Sequence, residues 1–298
     1  MDVVSDAISA VHLGRPSSQR VRAGGEWSVR ISPYDGAGFH VVLSGSCLLL
    51  PDGGEPVALG VGDAVLLPHG AGHVIAGAGT EAGRARERAV PLERWTGAEA
   101  SGGTELLCGK YRLDCSRIHP LMTELPEVVH LPNRVGAHPQ LRAAIDLLAG
   151  ELDERLPGSC VALPSLLDLL LVYLIRAWMA ETTSGVWPAV LGDPVTSAAL
   201  RAMHSAPAAP WTYDRLAAEA GVSRPTLARR FTSLVGRPPM AYLTWWRLIL
   251  AASRLRDSSD TLATIAAQVG YGSPYALSHA FLKEFGVTPG RYRSASKA

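Results

Sequence analysis

The 298-residue chain lacks the marks of several protein classes. Its four cysteines, Cys47, Cys108, Cys115 and Cys160, are scattered without a Cys-x-x-Cys pair, so neither a zinc ribbon nor a disulfide scaffold is indicated. Reduced and buried is their simplest state in a cytosolic protein. No apolar run reaches the ~20 residues needed to span a bilayer. The greasiest stretch, Leu163 to Ala180, is broken by Asp168 and Arg176 and reads as a core or subunit-contact helix. Asp2 and Asp6 stand where a secretory signal would be basic, and a cytoplasmic protein without a membrane partner is expected. Phosphate-cradling glycine loops are missing too, since Gly24-Gly25 and Gly53-Gly54 read as turns. No nucleophile–base arrangement is apparent, so enzymatic chemistry is not expected.

Overall the charge is nearly balanced at +1, but it is unevenly spread. Residues 196–298 hold 13 basic and 5 acidic side chains, a net +8, which leaves −7 for the rest. Such asymmetry points to a polyanion partner for the basic part.

Residues 26–75 read as short strands, such as Val41-Val42-Leu43 and Val65-Leu66-Leu67, bounded by Gly, Pro and Asp at barrel-like intervals. Ala76 to Gly103 is an excursion with a short helix, and Glu105 to Leu113 returns to strand. Two helices follow, Pro139 to about Glu154 and Pro164 to Ala180. The expected class is therefore α+β and multidomain. It has a β-barrel with two helices over 1–181, a linker over 182–194, and an all-α domain over 195–298, where Asp193-Pro194 supplies a helix start.

The all-α part contains an internal repeat. Leu216-Ala-Ala-Glu-Ala-Gly221 is followed by Ser223, Leu227, Phe231, Gly236, Pro239 and Tyr242; Ile265-Ala-Ala-Gln-Val-Gly270 is followed by Ser273, Leu277, Phe281, Gly286, Pro289 and Tyr292. From the serine onward the steps are +4, +4, +5, +3 and +3 in both copies. Gly221 and Gly270 give the sharp turn between two crossing helices, and Ser223 and Ser273 suit the cap of the second helix. Leu227/Phe231 and Leu277/Phe281 are i,i+4 pairs that fasten each second helix inward. At 100° per residue, Pro225, Thr226, Ala228 and Arg229 then face outward in the first copy. Tyr275, Ser278 and His279 do so in the second, with Pro274 at the first helical position. Each copy reads as a helix-turn-helix that offers these residues to the major groove. Arg229 is suited to a bidentate contact with guanine. Ser223, Arg224, Arg230, Arg237, Arg247, Arg254, Ser273, Lys283, Arg291 and Arg293 are placed for phosphates, which give affinity without sequence.

The stretch from Trp211 to Arg293 resembles the DNA-binding domain of the AraC/XylS family of regulators, and its Gly286-x-x-Pro289-x-x-Tyr292-Arg293 ending is specific to it. The resemblance implies a long helix, Pro239 to about Leu255, that sets two recognition helices in successive major grooves about 34 Å apart. Pro225, Ala228 and Arg229, with Pro274, Tyr275 and His279, become the base readers; Pro225 and Ala228 depart from the longer polar side chains of several members.

In the N-terminal half, Gly62-x5-Pro68-x-Gly70-x2-His73 has the spacing of the second cupin motif, and Phe39-His40-Val-Val-Leu-Ser-Gly45 resembles the end of the first. The first motif's metal-ligand positions fall on Gly38 and near Ser32-Pro33-Tyr34. Only His73 is in register, with His40 and His69 as irregular candidates, so neither a metal nor another cofactor is expected. The pattern resembles the cupin subgroup of AraC-type regulators, whose barrel senses a signal and whose helices pair subunits. The effector, a small molecule or an oxidant, is left open at this point, with His40, His73 and Cys108 as its candidate residues and Lys110 two residues along the same strand. Expected partners are double-stranded promoter or operator DNA, this effector, a second copy through Pro139–Ala180, and RNA polymerase. Two other readings are a cupin metalloenzyme, such as an isomerase or dioxygenase, with a DNA-binding tail, and an architectural DNA-binding protein with an inert barrel.

Overall fold

A computed structural model describes residues 5–6, 12–95, 103–113, 120–154, 156–182 and 185–295. Asp2, Cys115 and part of the expected excursion, 96–102, lie outside them. The chain divides into two compact units, one of residues 12–182 and one of 183–298 with the first eleven residues.

Among the described residues the first unit has ten strands: β1 (His12–Ala23), β2 (Ser28–Ile31), β3 (Gly36–Ser44), β4 (Cys47–Pro51), β5 (Val57–Leu59), β6 (Ala64–Leu67), β7 (His73–Gly77), β8 (Val90–Pro91), β9 (Thr104–Leu113) and β10 (Val129–Leu131). They form two five-stranded sheets, ordered β1-β9-β3-β6-β10 and β5-β4-β7-β2-β8. Between them lie Trp27, Val29, Val42, Leu49, Leu59, Val65, Leu67, Ile75 and Leu106, all buried. Alternation along β9 then sorts its side chains. Leu107 and Tyr111 share one face, while Cys108 and Lys110 share the other. Tyr111 is fully buried and donates its hydroxyl to the Leu167 carbonyl at 2.7 Å. That carbonyl belongs to a helix, so the Tyr111 face of β9 is the helix-covered one and the Cys108 face looks inward.

Helices α1 (Ala82–Arg88), α2 (Pro120–Thr123), α3 (Pro139–Glu154) and α4 (Ser159–Glu181) complete the unit. The first helix falls within the expected excursion, and α3 has the expected bounds. The last begins five residues before the expected Pro164, which sits in its second turn. It is long and apolar enough to cross a membrane by length and composition, and a third of its most apolar stretch is buried.

Strand β1 was not expected. Its sequence HLGRPSSQRVRA has almost no apolar alternation and contains a proline. Among the described residues it is the terminal strand of its sheet and pairs with β9 alone, and a proline is tolerated at such an edge.

The second unit holds α5 (Val186–Gly192), α6 (Pro194–Ser205), α7 (Tyr213–Glu219), α8 (Arg224–Val235), α9 (Pro239–Asp257), α10 (Leu262–Gln268), α11 (Pro274–Phe285) and α12 (Pro289–Ala295). Most of the expected linker is therefore helix: α5 buries Trp187 and Val190. Asp193 then caps α6 by accepting from Thr196 N at 2.8 Å. Asp6 also joins this unit rather than the barrel. Its carboxylate meets His204 Nδ1 at 2.9 Å, and His204 Nε2 meets the Tyr242 hydroxyl at 2.8 Å while the ring stacks on Trp246.

Candidate nucleic-acid interface and inner cavity

The two repeats fold as two helix-turn-helix units, α7–α8 and α10–α11, joined by α9. Each turn passes through a glycine in the left-handed region, Gly221 at φ +65° and Gly270 at φ +85°, where a side chain would be strained. Leu227, Phe231, Leu277 and Phe281 are completely buried. The Gly-x-x-Pro-x-x-Tyr spacing has a mechanical basis common to both copies. The glycine ends the second helix, the proline starts the next one and is buried, and the tyrosine comes back edge-on to the inward phenylalanine. Tyr242 meets Phe231 at 5.7 Å and 72°, and Tyr292 meets Phe281 at 5.4 Å and 74°.

With the inner faces fixed, the outward residues are open to solvent. Pro225, Arg229, Tyr275 and His279 are exposed, Tyr275 by 86%; Thr226, Ala228, Pro274 and Ser278 are half-buried beside them. Arg229 forms no ion pair among the described residues. The caps differ between the copies. Ser273 accepts from Ala276 N at 3.2 Å, whereas the Ser223 hydroxyl pairs with the Thr226 hydroxyl at 2.9 Å and caps no helix N–H.

The expected phosphate contacts fall into two groups. Arg254, Lys283 and Arg291 are exposed, and so are Arg224, Arg230 and Arg237, the last three with local partners. Arg224 reaches Asp214 at 3.4 Å, Arg230 reaches Asp193 at 3.3 Å, and Arg237 lies over the Trp245 ring. Surface pairs of this kind are weak enough for a phosphate to replace them. Arg247 and Arg293 differ from the others in having backbone partners. Arg247 donates to the Pro207 and Ala209 carbonyls at 2.7 and 2.8 Å, and Arg293 donates to the Asp260 carbonyl at 2.5 Å. Both are half-buried and pin loops, because a guanidinium has enough donors to satisfy carbonyls that no helix or strand takes up.

In the barrel, the register of β3 against β9 places His40 directly opposite Cys108, and His73 enters from β7 of the other sheet. His40 Nδ1 lies 3.0 Å from Cys108 Sγ, and His40 Nε2 lies 3.0 Å from His73 Nε2. The three residues singled out by the sequence therefore form one cluster, and with it a nucleophile–base pair that the sequence did not reveal. Burial holds both imidazoles below their ordinary value, His40 far below it with a further contribution from His73. Burial also pushes the Cys108 thiol up. At neutral pH the cluster is two neutral rings and a protonated thiol.

The cluster lines a cavity of about 510 Å³, within the range of roughly 300–1,000 Å³ usual for small-molecule sites. Ser17 to Arg22 of β1, Ile31, Tyr34, Leu92, Trp95 and Lys110 also line it. Most of these escaped the sequence reading because they belong to the unexpected β1 or to the excursion. An apolar recess continues from it toward Trp27, Val29, Ile75 and Leu106.

A cupin metal does not fit these residues. A side chain at Gly38 would collide with the Tyr34 hydroxyl. Tyr34 therefore fills the space of the missing carboxylate ligand. His69 points elsewhere and donates to the Leu125 carbonyl at 2.8 Å. Among the described residues no group of three or more His, Cys, Asp or Glu is arranged to hold a metal.

Residues 2–180 match the cupin family model and residues 216–295 match a helix-turn-helix domain model. Over 98% of both lengths the chain is 35% identical to a putative AraC-like transcription regulator of Streptomyces antibioticus. It is 31% identical to the HTH-type transcriptional regulator MtrA of Neisseria gonorrhoeae, again over 98% of each. With AlkR of Acinetobacter baylyi, another HTH-type transcriptional regulator, it shares 30% over 99% of this chain and 100% of that one. The chain belongs to the AraC-like transcription regulators, DNA-binding proteins, and carries a cupin-type N-terminal domain.

Proposed function

We propose that this regulator reads two adjacent major-groove sites through α8 and α11 and that the barrel cavity holds a small-molecule effector. The observation that supports the first part is the pair of unlike outward faces on an otherwise matched scaffold. Pro225, Thr226, Ala228 and Arg229 present one guanidinium among small side chains, while Pro274, Tyr275, Ser278 and His279 present an aromatic ring, a hydroxyl and an imidazole. Such a pair prefers an asymmetric site on DNA. Ser223, Ser273, Arg224, Arg230, Arg237, Arg254, Lys283 and Arg291 supply backbone contacts.

The small-molecule version is favoured over a diffusible oxidant. Oxidant sensing needs a standing, accessible thiolate, and burial keeps Cys108 protonated. An enzymatic cupin is disfavoured by Tyr34 in the place of a metal ligand. The protein acts in the cytoplasm, where its DNA target is, with RNA polymerase as the partner it regulates there. It pairs with a second copy through α3 and α4, which expose Leu147, Val161 and Leu169. Sedimentation should give a dimer that Leu147→Glu with Val161→Glu converts to monomer.

Footprinting of the purified chain on DNA upstream of its own gene and neighbouring genes, at two salt concentrations, tests the reading. Two protected patches about one turn apart that weaken steeply with salt are expected. Diffuse protection without a preferred site would contradict it and favour an architectural role.

A further inference from the structure

The hydrogen bonds at the floor of the cavity admit one consistent placement of protons. The Ala71 carbonyl only accepts, so His73 Nδ1, 2.8 Å away, carries hydrogen. The ring is neutral, so its Nε2 is bare and accepts from His40 Nε2 at 3.0 Å. A neutral His40 then turns a bare Nδ1 to Cys108 Sγ at 3.0 Å, and the thiol donates. Cys108 is thus a nucleophile in contact with a base whose orientation a third group fixes. Around it the cavity offers apolar walls at Val21, Ile31 and Trp95. The Lys110 ammonium lines the same cavity from the same face of β9.

We propose that the cavity captures a small α,β-unsaturated carbonyl compound as a covalent adduct of Cys108, with His40 as general base and His73 as its positioning residue. The proposal rests on the reading of the cavity as an effector site. Addition begins as the Cys108 S–H proton passes to His40 Nδ1 and Sγ bonds the β carbon of the acceptor. The π pair of the C=C bond moves toward the carbonyl oxygen, where Lys110 supplies positive charge to the enolate. His40 then returns the proton to the α carbon. The net change is S–H added across C=C, with no oxidant or reductant consumed. A thiol that is protonated at rest reacts poorly with anything that merely collides with it. A seated acceptor gains the proximity of thiol, base and ammonium together. The apolar walls therefore select an acceptor able to dwell there, such as a cyclic enone.

The test uses the full-length protein, cyclohex-2-enone as probe, and mass spectrometry of the intact chain followed by peptide mapping. Cys160, which is exposed, is the internal reference for a thiol with no built surroundings. Cys108 is expected to gain one enone at least about tenfold faster than Cys160, with a rate that saturates in enone. His40→Gln should slow Cys108 about 100-fold and leave Cys160 unchanged. Modification of Cys160 alone, or a Cys108 rate that neither saturates nor exceeds that of Cys160, would overturn the proposal without any variant having to fold. Circular dichroism checks the fold of His40→Gln, and a folded variant with an unchanged Cys108 rate would also overturn it. Footprinting the adduct separates this chemistry from the effector reading. A changed footprint supports both, whereas an adduct with an unchanged footprint removes the effector role and leaves the addition standing.

Discussion

The barrel and the helical unit treat their functional side chains in opposite ways. In the barrel the two imidazoles of the cluster point inward, are stripped of water and are neutral: His40 and His73 are 7% and 1% exposed. In the helical unit the buried groups, His204 and Asp6 among them, hold the scaffold together, whereas Arg229, Tyr275 and His279 on the outward faces are held out in water. The difference follows from the partners. A small molecule has to be enclosed before a few contacts can hold it, whereas DNA arrives as a large charged surface that meets side chains already hydrated. Burial therefore marks the imidazole pair of one unit and the scaffold residues of the other.

Substitutions along a single recognition helix break the contrast most strongly. Phe281→Ala on α11 removes a completely buried ring and should destabilise the unit by about 3–5 kcal/mol. Tyr275→Ala on the same helix should change stability by no more than about 0.5 kcal/mol while weakening DNA binding. Urea unfolding together with binding isotherms separates the two. Next in size, Arg229→Ala should lose about 1–3 kcal/mol of discrimination at one base pair. Arg291→Ala should instead weaken all sequences alike and reduce the salt slope by about one. Competition binding against single-base variants of the site measures both.

The barrel interior should respond to acid. An unfolded imidazole binds a proton near pH 6.5, whereas burial holds His40 and His73 below that. Their contribution is fully present above pH 6.5. As the pH falls below it the unfolded chain binds more protons, and stability should drop by up to about 1.4 kcal/mol per pH unit for each ring. His40→Gln should flatten this slope in urea titrations. The smallest effect sharpens the comparison between the two helix-turn-helix copies. Ser273→Ala should lose about 1 kcal/mol with its cap, and Ser223→Ala only a few tenths because its hydroxyl caps no N–H.

The helical unit was legible because its signals are local. Glycine turns, i,i+4 pairs and the Pro and Tyr spacing all act within one supersecondary unit, so Leu227, Phe231, Leu277 and Phe281 could be placed inward and Arg229 and Tyr275 outward from spacing alone. The exceptions, Arg247 and Arg293, depend on carbonyls 33 to 40 residues away. The barrel was legible only in outline. Its cluster joins residues 33 and 68 positions apart through strand register, which no local pattern encodes. Strand β1 stayed hidden because an edge strand that lines an open cavity with serine, glutamine and arginine side chains needs no apolar alternation. Tyr34 could be recognised as a substitute for a ligand only once its hydroxyl was seen over Gly38.

The most direct test of two unlike readers on one scaffold is hydroxyl-radical footprinting of wild type, Arg229→Ala and Tyr275→Ala on one bound DNA fragment at fixed salt. Two patches about one helical turn apart are predicted, with each variant losing protection mainly at a different patch. A single patch, or two patches that fade equally in both variants, would contradict the account.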